Sequence, residues 1–252
     1  MPSRSEIERR IFVVGVPRSG TTLVQSLLAA HPGVTSFTES HFFDKQFVRL
    51  PGLPVALLVR DPRVRVRNFV EVNDGEGLAA AEWFEKGRGR WSRSAPLLPL
   101  WTFRVARQFI RLLDELAERR GAANWVEKTP RHLRYVPFLE RLSSSNQFHF
   151  IHVIRGGLEV VASLRRASQS WERPYDLETC ARRWNADVAF SASRIGSVRD
   201  HFVVYEELVD RPELVLQKLL AELDLEWEPG MLREYGVAAE RLTTPEESWK
   251  AG

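Results

Sequence analysis

The chain has 252 residues, 44% of them hydrophobic, with a formal net charge of +3 at pH 7 and one cysteine. That length and apolar share suit one α/β domain with a full core and are short for two. A single thiol, Cys180, excludes an intrachain disulfide and a thiolate metal cluster, and a small charge spread along the chain argues against a nucleic-acid partner.

Met1 to Arg10 is charged and leads directly into Ile11 to Val14, an apolar strand ended by Gly15. No signal peptide is expected there, and no apolar run approaches the ~20 residues that span a bilayer, so a soluble, cytoplasmic chain without a membrane partner is predicted. Thr21 to Ala30 reads as a helix closed by His31-Pro32-Gly33, and Val34 to Phe37 as a second strand. From about 41 to 100 the pattern turns irregular, with Leu53 to Val59 its one strong apolar run. This insert predicts a lid or an acceptor pocket. Its Phe42, Phe43, Phe47, Trp83, Phe84, Trp91 and Trp101 would either line the pocket or pack the lid.

Trp101 to Arg120 has helical periodicity and ends at Gly121; Trp125 to Glu127 is a short strand, and Arg131 to Leu142 a helix started by Thr129 or Pro130. Phe148 to Ile154 is the strongest strand, broken by Gly156-Gly157 before a helix through Leu164. Glu178 to Ile195 is a helix with Cys180 as a packing residue, Phe202 to Tyr205 a strand, and Pro212 to Leu223 an amphipathic helix. Short strands alternating with helices predict a parallel sheet with crossovers, hence one three-layer α/β domain over residues 1–252.

Gly15-Val-Pro-Arg18-Ser19-Gly20-Thr21-Thr22 lies between the first strand and the first helix. A phosphate-cradling loop needs that setting, because glycines admit close backbone approach and the helix N-terminus faces an anion. The Gly15 to Gly20 spacing is P-loop-like, but Thr21 stands where a Walker Lys would be, and no convincing Walker B Asp is found. A P-loop kinase or nucleotide triphosphatase is therefore the alternative rather than the main reading.

Val16-Pro17-Arg18-Ser19-Gly20-Thr21-Thr22, with the helix and His31-Pro32 after it, resembles the 5'-phosphosulfate loop of the sulfotransferase family. The likeness is closest to the bacterial and tyrosylprotein-type branch, where Arg precedes Ser-Gly-Thr-Thr; the steroid and phenol branch has Lys at the place of Arg18. A second block, a strand ending in Arg155 and a helix carrying Ser163, resembles the family's 3'-phosphate site. Arg155 at a strand's carboxyl edge can fork two phosphate oxygens. Family members often have Arg-Asp-Pro here, whereas this chain has Arg-Gly-Gly and loses the acid. Val59-Arg60-Asp61-Pro62 imitates the motif locally, but Asn68 rather than a Ser lies eight residues beyond Arg60. A third block, Phe202-Val-Val-Tyr205-Glu-Glu-Leu, implies that Tyr205 lies near the nucleotide; an aromatic packed at a strand end is the other reading. Ser248-Trp249-Lys250 resembles the end of the family's closing loop, without its glycine-rich lead.

The resemblance implies 3'-phosphoadenosine 5'-phosphosulfate (PAPS) as co-substrate, PAP as product, and a small-molecule or carbohydrate hydroxyl or amine as acceptor. Cofactor contacts are expected from Arg18, Ser19, Gly20, Thr21, Thr22, Arg155, Ser163, Tyr205, Trp249 and Lys250. Arg18 and Lys128, the latter from Glu127-Lys128-Thr129-Pro130, are the cations expected on the leaving phosphate, in place of a metal. Glu39 matches in position the catalytic Glu of the tyrosylprotein and bacterial branches, with His41 and His132 as rival bases. A non-catalytic PAP-binding protein is the remaining alternative.

Overall fold

Residues 9–15 place Ile11 and Val13 on one face of a strand and Phe12 and Val14 on the other, and all four are fully buried. A strand buried on both faces belongs inside a parallel sheet covered by helices. In the computed structural model, which describes residues 7–49, 57–59, 99–142 and 147–242, that strand is the centre of the sheet. The sheet contains β1 (Arg9–Gly15), β2 (Val34–Phe37), β5 (Asn124–Lys128), β6 (Phe148–Ile154) and β7 (Asp200–Val204). Its order is β2-β5-β1-β6-β7, and every neighbouring pair is parallel. The short strands β3 (Phe47–Arg49) and β4 (Leu57–Val59) form a separate antiparallel pair.

Two hydrophobic clusters, one on each sheet face, make this the three-layer α/β fold the sequence predicts. One face packs Ile11, Val13 and Val126 against α1 (Thr21–Ala29), α7 (Tyr205–Asp210), α8 (Pro212–Glu222) and α9 (Met231–Leu242). On the other, Phe12 and Trp125 meet α2 (Phe42–Gln46), α3 (Pro99–Arg119) and the segment 130–142, which includes α4 (Val136–Leu139). The remaining helices are α5 (Gly157–Ser168) and α6 (Leu177–Ala192). Asp114 of α3 ties this face together, accepting from Trp125 Nε1 at 2.8 Å and from Arg10 Nε and a terminal Arg10 nitrogen at 2.9 Å each. Phe12 stands 5.3 Å from Trp125 and about 6 Å from Phe148 and Phe150, so Phe12→Ala would cost about 3–5 kcal/mol.

Several elements differ from the sequence expectation, each for a local reason. Residues 130–142 are not one α-helix: Pro130–Tyr135 and Glu140–Leu142 are 3₁₀ turns around α4. Pro130 and Pro137 lack the N–H that an α-helical ladder needs. Tyr205 does not end a strand but opens α7, where Glu206 and Glu207 occupy the favourable first turn. The helices α2 and α9 have no counterpart in the sequence expectation. Phe42, Phe43 and Phe47, placed by the sequence in a lid or pocket, are fully buried in the α3 cluster. Positions 50–56 and 60–98 of the expected insert lie outside the described residues, as do Arg60, Trp83, Phe84, Trp91, Trp249 and Lys250. Among the described residues no helix is long and apolar enough to cross a membrane.

Candidate active site at the carboxyl edge of the sheet

All five strands of the large sheet run the same way, so their carboxyl ends share one edge, where open parallel sheets bind ligands. Register keeps these ends level: Gly15 pairs with Val153, Val13 with Lys128, and Phe37 with Glu127. Immediately beyond them come the loop 16–20 from β1, Glu39 from β2, Arg155 from β6 and Tyr205 from β7, with Lys128 closing β5.

The loop after β1 is held in an unusual backbone path. Gly15 has φ 152°, and a Cβ there would stand 2.6 Å from the Val153 carbonyl oxygen of the neighbouring strand. Gly20 has φ 93°, and its Cβ would meet the Tyr205 ring at 2.2 Å, so glycine is required at both ends. Arg18 between them also has positive φ, 79°, a strained conformation for a residue with a side chain. Helix α1 begins at Thr21 without a side-chain cap, leaving its first N–H groups directed at this edge. Ser19 is fully buried, and its Oγ has no hydrogen-bond partner among the described residues.

Three arginines converge beside this loop. Arg18 donates through Nε to Ser163 Oγ at 3.0 Å, and an Arg155 terminal nitrogen donates to the Arg18 carbonyl at 3.4 Å. The Arg155 guanidinium lies over the Tyr205 ring, 4.2 Å from its centroid, while its buried Nε finds no partner among the described residues. Burial, reinforced by the neighbouring charges of Arg155 and Arg166, pushes the Arg18 guanidinium below its ordinary pKa. The turn carrying Arg155 is pinned from both sides: Trp184 Nε1 donates to the Arg155 carbonyl at 3.1 Å, and the Gly156 N–H donates to Glu206 Oε1 at 2.9 Å. Glu206 of α7 thus supplies the acid that the Arg-Gly-Gly sequence lacks.

On the β2–β5 side the chemistry reverses. The Glu39 side chain is 10% exposed and accepts from Lys128 Nζ on one oxygen and from His41 Nε2 at 3.2 Å on the other. The Lys128 side chain is 3% exposed. Burial pushes His41 below the ordinary histidine range, against the opposing pull of Glu39. His132 is fully buried, with Nδ1 on Glu127 at 3.0 Å and Nε2 taking the Phe43 N–H at 3.3 Å, so neither nitrogen faces the edge. Among the described residues, no three His, Cys, Asp or Glu side chains gather as a metal ion would require.

A sequence model described as "Sulfotransferase family" matches residues 10–229, spanning the sheet and every described site residue named above. The chain belongs to the sulfotransferase family. Relatives include the protein-tyrosine sulfotransferase of Drosophila melanogaster, 26% identical over 228 residues, covering 88% of this chain and 39% of that protein. Protein-tyrosine sulfotransferase 2 of Gallus gallus is 25% identical over 228 residues, covering 88% of this chain and 53% of its own length. The chain thus spans about half or less of these two relatives. Among solved structures, the sulfotransferase domain of the Synechococcus PCC 7002 olefin synthase superposes with a TM-score of 0.57 at 22% identity, covering 97% of this chain and 84% of that one. The sulfotransferase STF9 from Mycobacterium avium gives 0.50 at 18% identity, covering 93% and 68%. These likenesses show that the fold is the sulfotransferase fold.

Within this family member, the sequence-derived residues fall into two groups. Arg18, Ser19, Gly20, Thr21, Thr22, Arg155, Ser163 and Tyr205 surround the loop and the adjoining ends of β6 and β7, whereas Glu39 and Lys128 meet on the β2–β5 side. The Arg18 side chain is turned to Ser163, at the place the sequence assigned to the 3'-phosphate. Three contributors escaped the sequence reading: Arg166, Glu206 and Glu127. Arg166 had a signal, since it lies three residues after Ser163 and so shares its helix face.

Proposed function

We propose that this protein transfers a sulfuryl group from PAPS to an acceptor hydroxyl or amine, without a metal ion. The supporting observation is the convergence of Arg18, Arg155 and Arg166 on the uncapped start of α1. Mutually repelling guanidinium groups with a buried, unsatisfied Nε make a site that an anion stabilises, and buried Ser19 Oγ adds a further donor. These residues fit a ligand with two separated phosphate groups, and the Tyr205 ring beside Arg155 offers a surface near it.

PAPS, when bound, supplies an activated sulfuryl group and a phosphate leaving group. The chain's own residues then divide the work. Arg155 and Ser163 hold the 3'-phosphate, and the loop 15–22 with Arg18 holds the 5'-phosphate. Lys128 brings its ammonium to the oxygen from which sulfur departs, where charge grows in a loose transition state. Glu39 accepts the acceptor's proton as the new bond to sulfur forms. Trp249 and Lys250 would close over the nucleotide. The acceptor is a small molecule or carbohydrate, and the names of the relatives add a peptide tyrosine to the compounds worth testing.

The test is transfer of labelled sulfate from PAPS to a panel of phenols, amines, sugars and tyrosyl peptides in the presence of EDTA. Transfer to any of them, lost in Lys128→Ala, supports the reading. Transfer that appears only with ATP and Mg²⁺, as phosphate, would sink it.

A further inference from the structure

Resting on that proposed chemistry, we infer that Glu127 is a positioning residue: its buried carboxylate fixes the segment that carries the base Glu39. Side chains alternate along β5, so Trp125 and Glu127 enter the α2–α3 face while Val126 and Lys128 face α1. Glu127 is also the register partner of Phe37, the last residue of β2, and Glu39 lies two residues on. One strand end therefore reaches the Glu39 segment twice, through Lys128 on the Glu39 side chain and through Glu127 on residues 40–43.

The four N–H groups of residues 40–43 all lead to that carboxylate. The Ser40 N–H meets Glu127 Oε1 at 3.4 Å, and Ser40 Oγ donates to the same oxygen at 2.7 Å. The His41 N–H donates to Thr129 Oγ1 at 3.2 Å, whose hydroxyl donates to Glu127 Oε1 at 2.6 Å. The Phe42 N–H donates to Ser40 Oγ at 3.2 Å. The Phe43 N–H donates to His132 Nε2 at 3.3 Å, which puts the ring proton on Nδ1, and Nδ1 donates to Glu127 Oε2 at 3.0 Å.

The segment needs such a clamp. His41 has φ 51°, in the left-handed region, and α2 begins without a side-chain cap. Burial pushes the Glu127 carboxyl up, but the His132 ring and the hydroxyls of Thr129 and Ser40 bring it below its ordinary pKa, so it is ionised at neutral pH. A fully buried carboxylate is a poor way to gain stability and a good way to specify one geometry. Glutamine cannot replace it, because its NH₂ would face either the His132 donor or the Ser40 and Thr129 donors.

The experiment is Glu127→Gln in the full chain, read by amide hydrogen exchange, PAP affinity and turnover of PAPS. Expected are faster exchange at 40–43 by at least about tenfold, unchanged protection of β1 and β6, and unchanged PAP affinity. Turnover should fall by roughly 10²-fold through kcat, the scale of a reacting group misplaced by an ångström. Thr129→Val should reproduce part of both effects, and Thr129→Ser, which keeps the hydroxyl, should restore them. Wild-type protection at 40–43 in Glu127→Gln overturns the inference, as does full kcat in a variant whose segment has loosened. Should Glu127→Gln fail to fold, identical exchange and kcat in Thr129→Val and Thr129→Ser would overturn it equally. Absence of any PAPS turnover in the wild type would fall on the proposed function alone, since the exchange data still decide whether Glu127 holds the segment.

Discussion

The two halves of the carboxyl edge are built on opposite principles. At β2 and β5, Glu39, Lys128, His41 and Glu127 satisfy one another in a closed network of carboxylates and donors. At β1, β6 and β7, guanidinium groups crowd together, one buried Nε and one buried hydroxyl have no partner among the described residues, and the backbone is strained at Arg18. A buried polar group left unsatisfied costs about 1–3 kcal/mol, so the second half carries a cost that the first does not. The difference teaches what each half is for: the complete half is preorganised for proton and charge transfer, and the incomplete half is finished by an anion.

The contrast can be broken from either side. The largest effect is expected in the closed half, where Glu39→Gln should cut turnover by about 10²–10⁴-fold while PAP affinity and the melting temperature persist. If stability falls instead and turnover per folded molecule survives, Glu39 is a structural partner of Lys128 and not the base. In the open half, Arg155→Ala should weaken PAP binding by about 2–5 kcal/mol without loss of fold. Unchanged affinity would move the 3'-phosphate site elsewhere. Gly20→Ala forces a Cβ into the Tyr205 ring at positive φ and should destabilise by about 1–3 kcal/mol, with a parallel loss of PAP binding. Retained stability there would mean that Tyr205 yields easily and contributes no fixed surface.

The smallest effect belongs to the opposite end of the sheet and serves as a control. Burial, helped by His201, Arg9 and Arg199, lowers His149 to about 4. The unfolded chain therefore binds a proton there that the folded chain refuses, and stability should decline as pH falls from about 6.5 toward 4. Burial alone would raise Asp200, but hydrogen bonds from His152, Arg194 and Ser197 bring it to about 2, so its contribution is lost only below the usual aspartate range. His149→Gln should flatten the first decline, measured by denaturant unfolding at several pH values, and leave PAP affinity alone. An unchanged slope would remove His149 as its source.

Legibility in the sequence divides along the same line. The open half is written in local motifs, since a strand, a turn and the next helix suffice to place Arg18, Ser19 and Gly20, or Arg155 and Ser163. The closed half depends on register between β2 and β5, segments almost ninety residues apart. Glu39 and Lys128 could be named from resemblance, but their contact, and the convergence of Ser40, Thr129 and His132 on Glu127, could not. Glu206 was hidden for a related reason, because the Val-Val-Tyr run reads as strand until the Glu-Glu pair is seen to start a helix. The segment 42–47 misled in the other direction. An aromatic run in an irregular stretch looks like a pocket, and only the packing of α3 against it shows a core.

The central claim, that the open half is completed by a nucleotide with two phosphate sites and no metal, is tested most directly by thermal unfolding in EDTA with PAP, and separately with ATP and Mg²⁺. PAP at a hundred times its dissociation constant should stabilise the protein by about 2.7 kcal/mol, and Arg155→Ala should abolish the shift at the same concentration. No stabilisation by PAP, together with a clear shift from ATP and Mg²⁺, would contradict it.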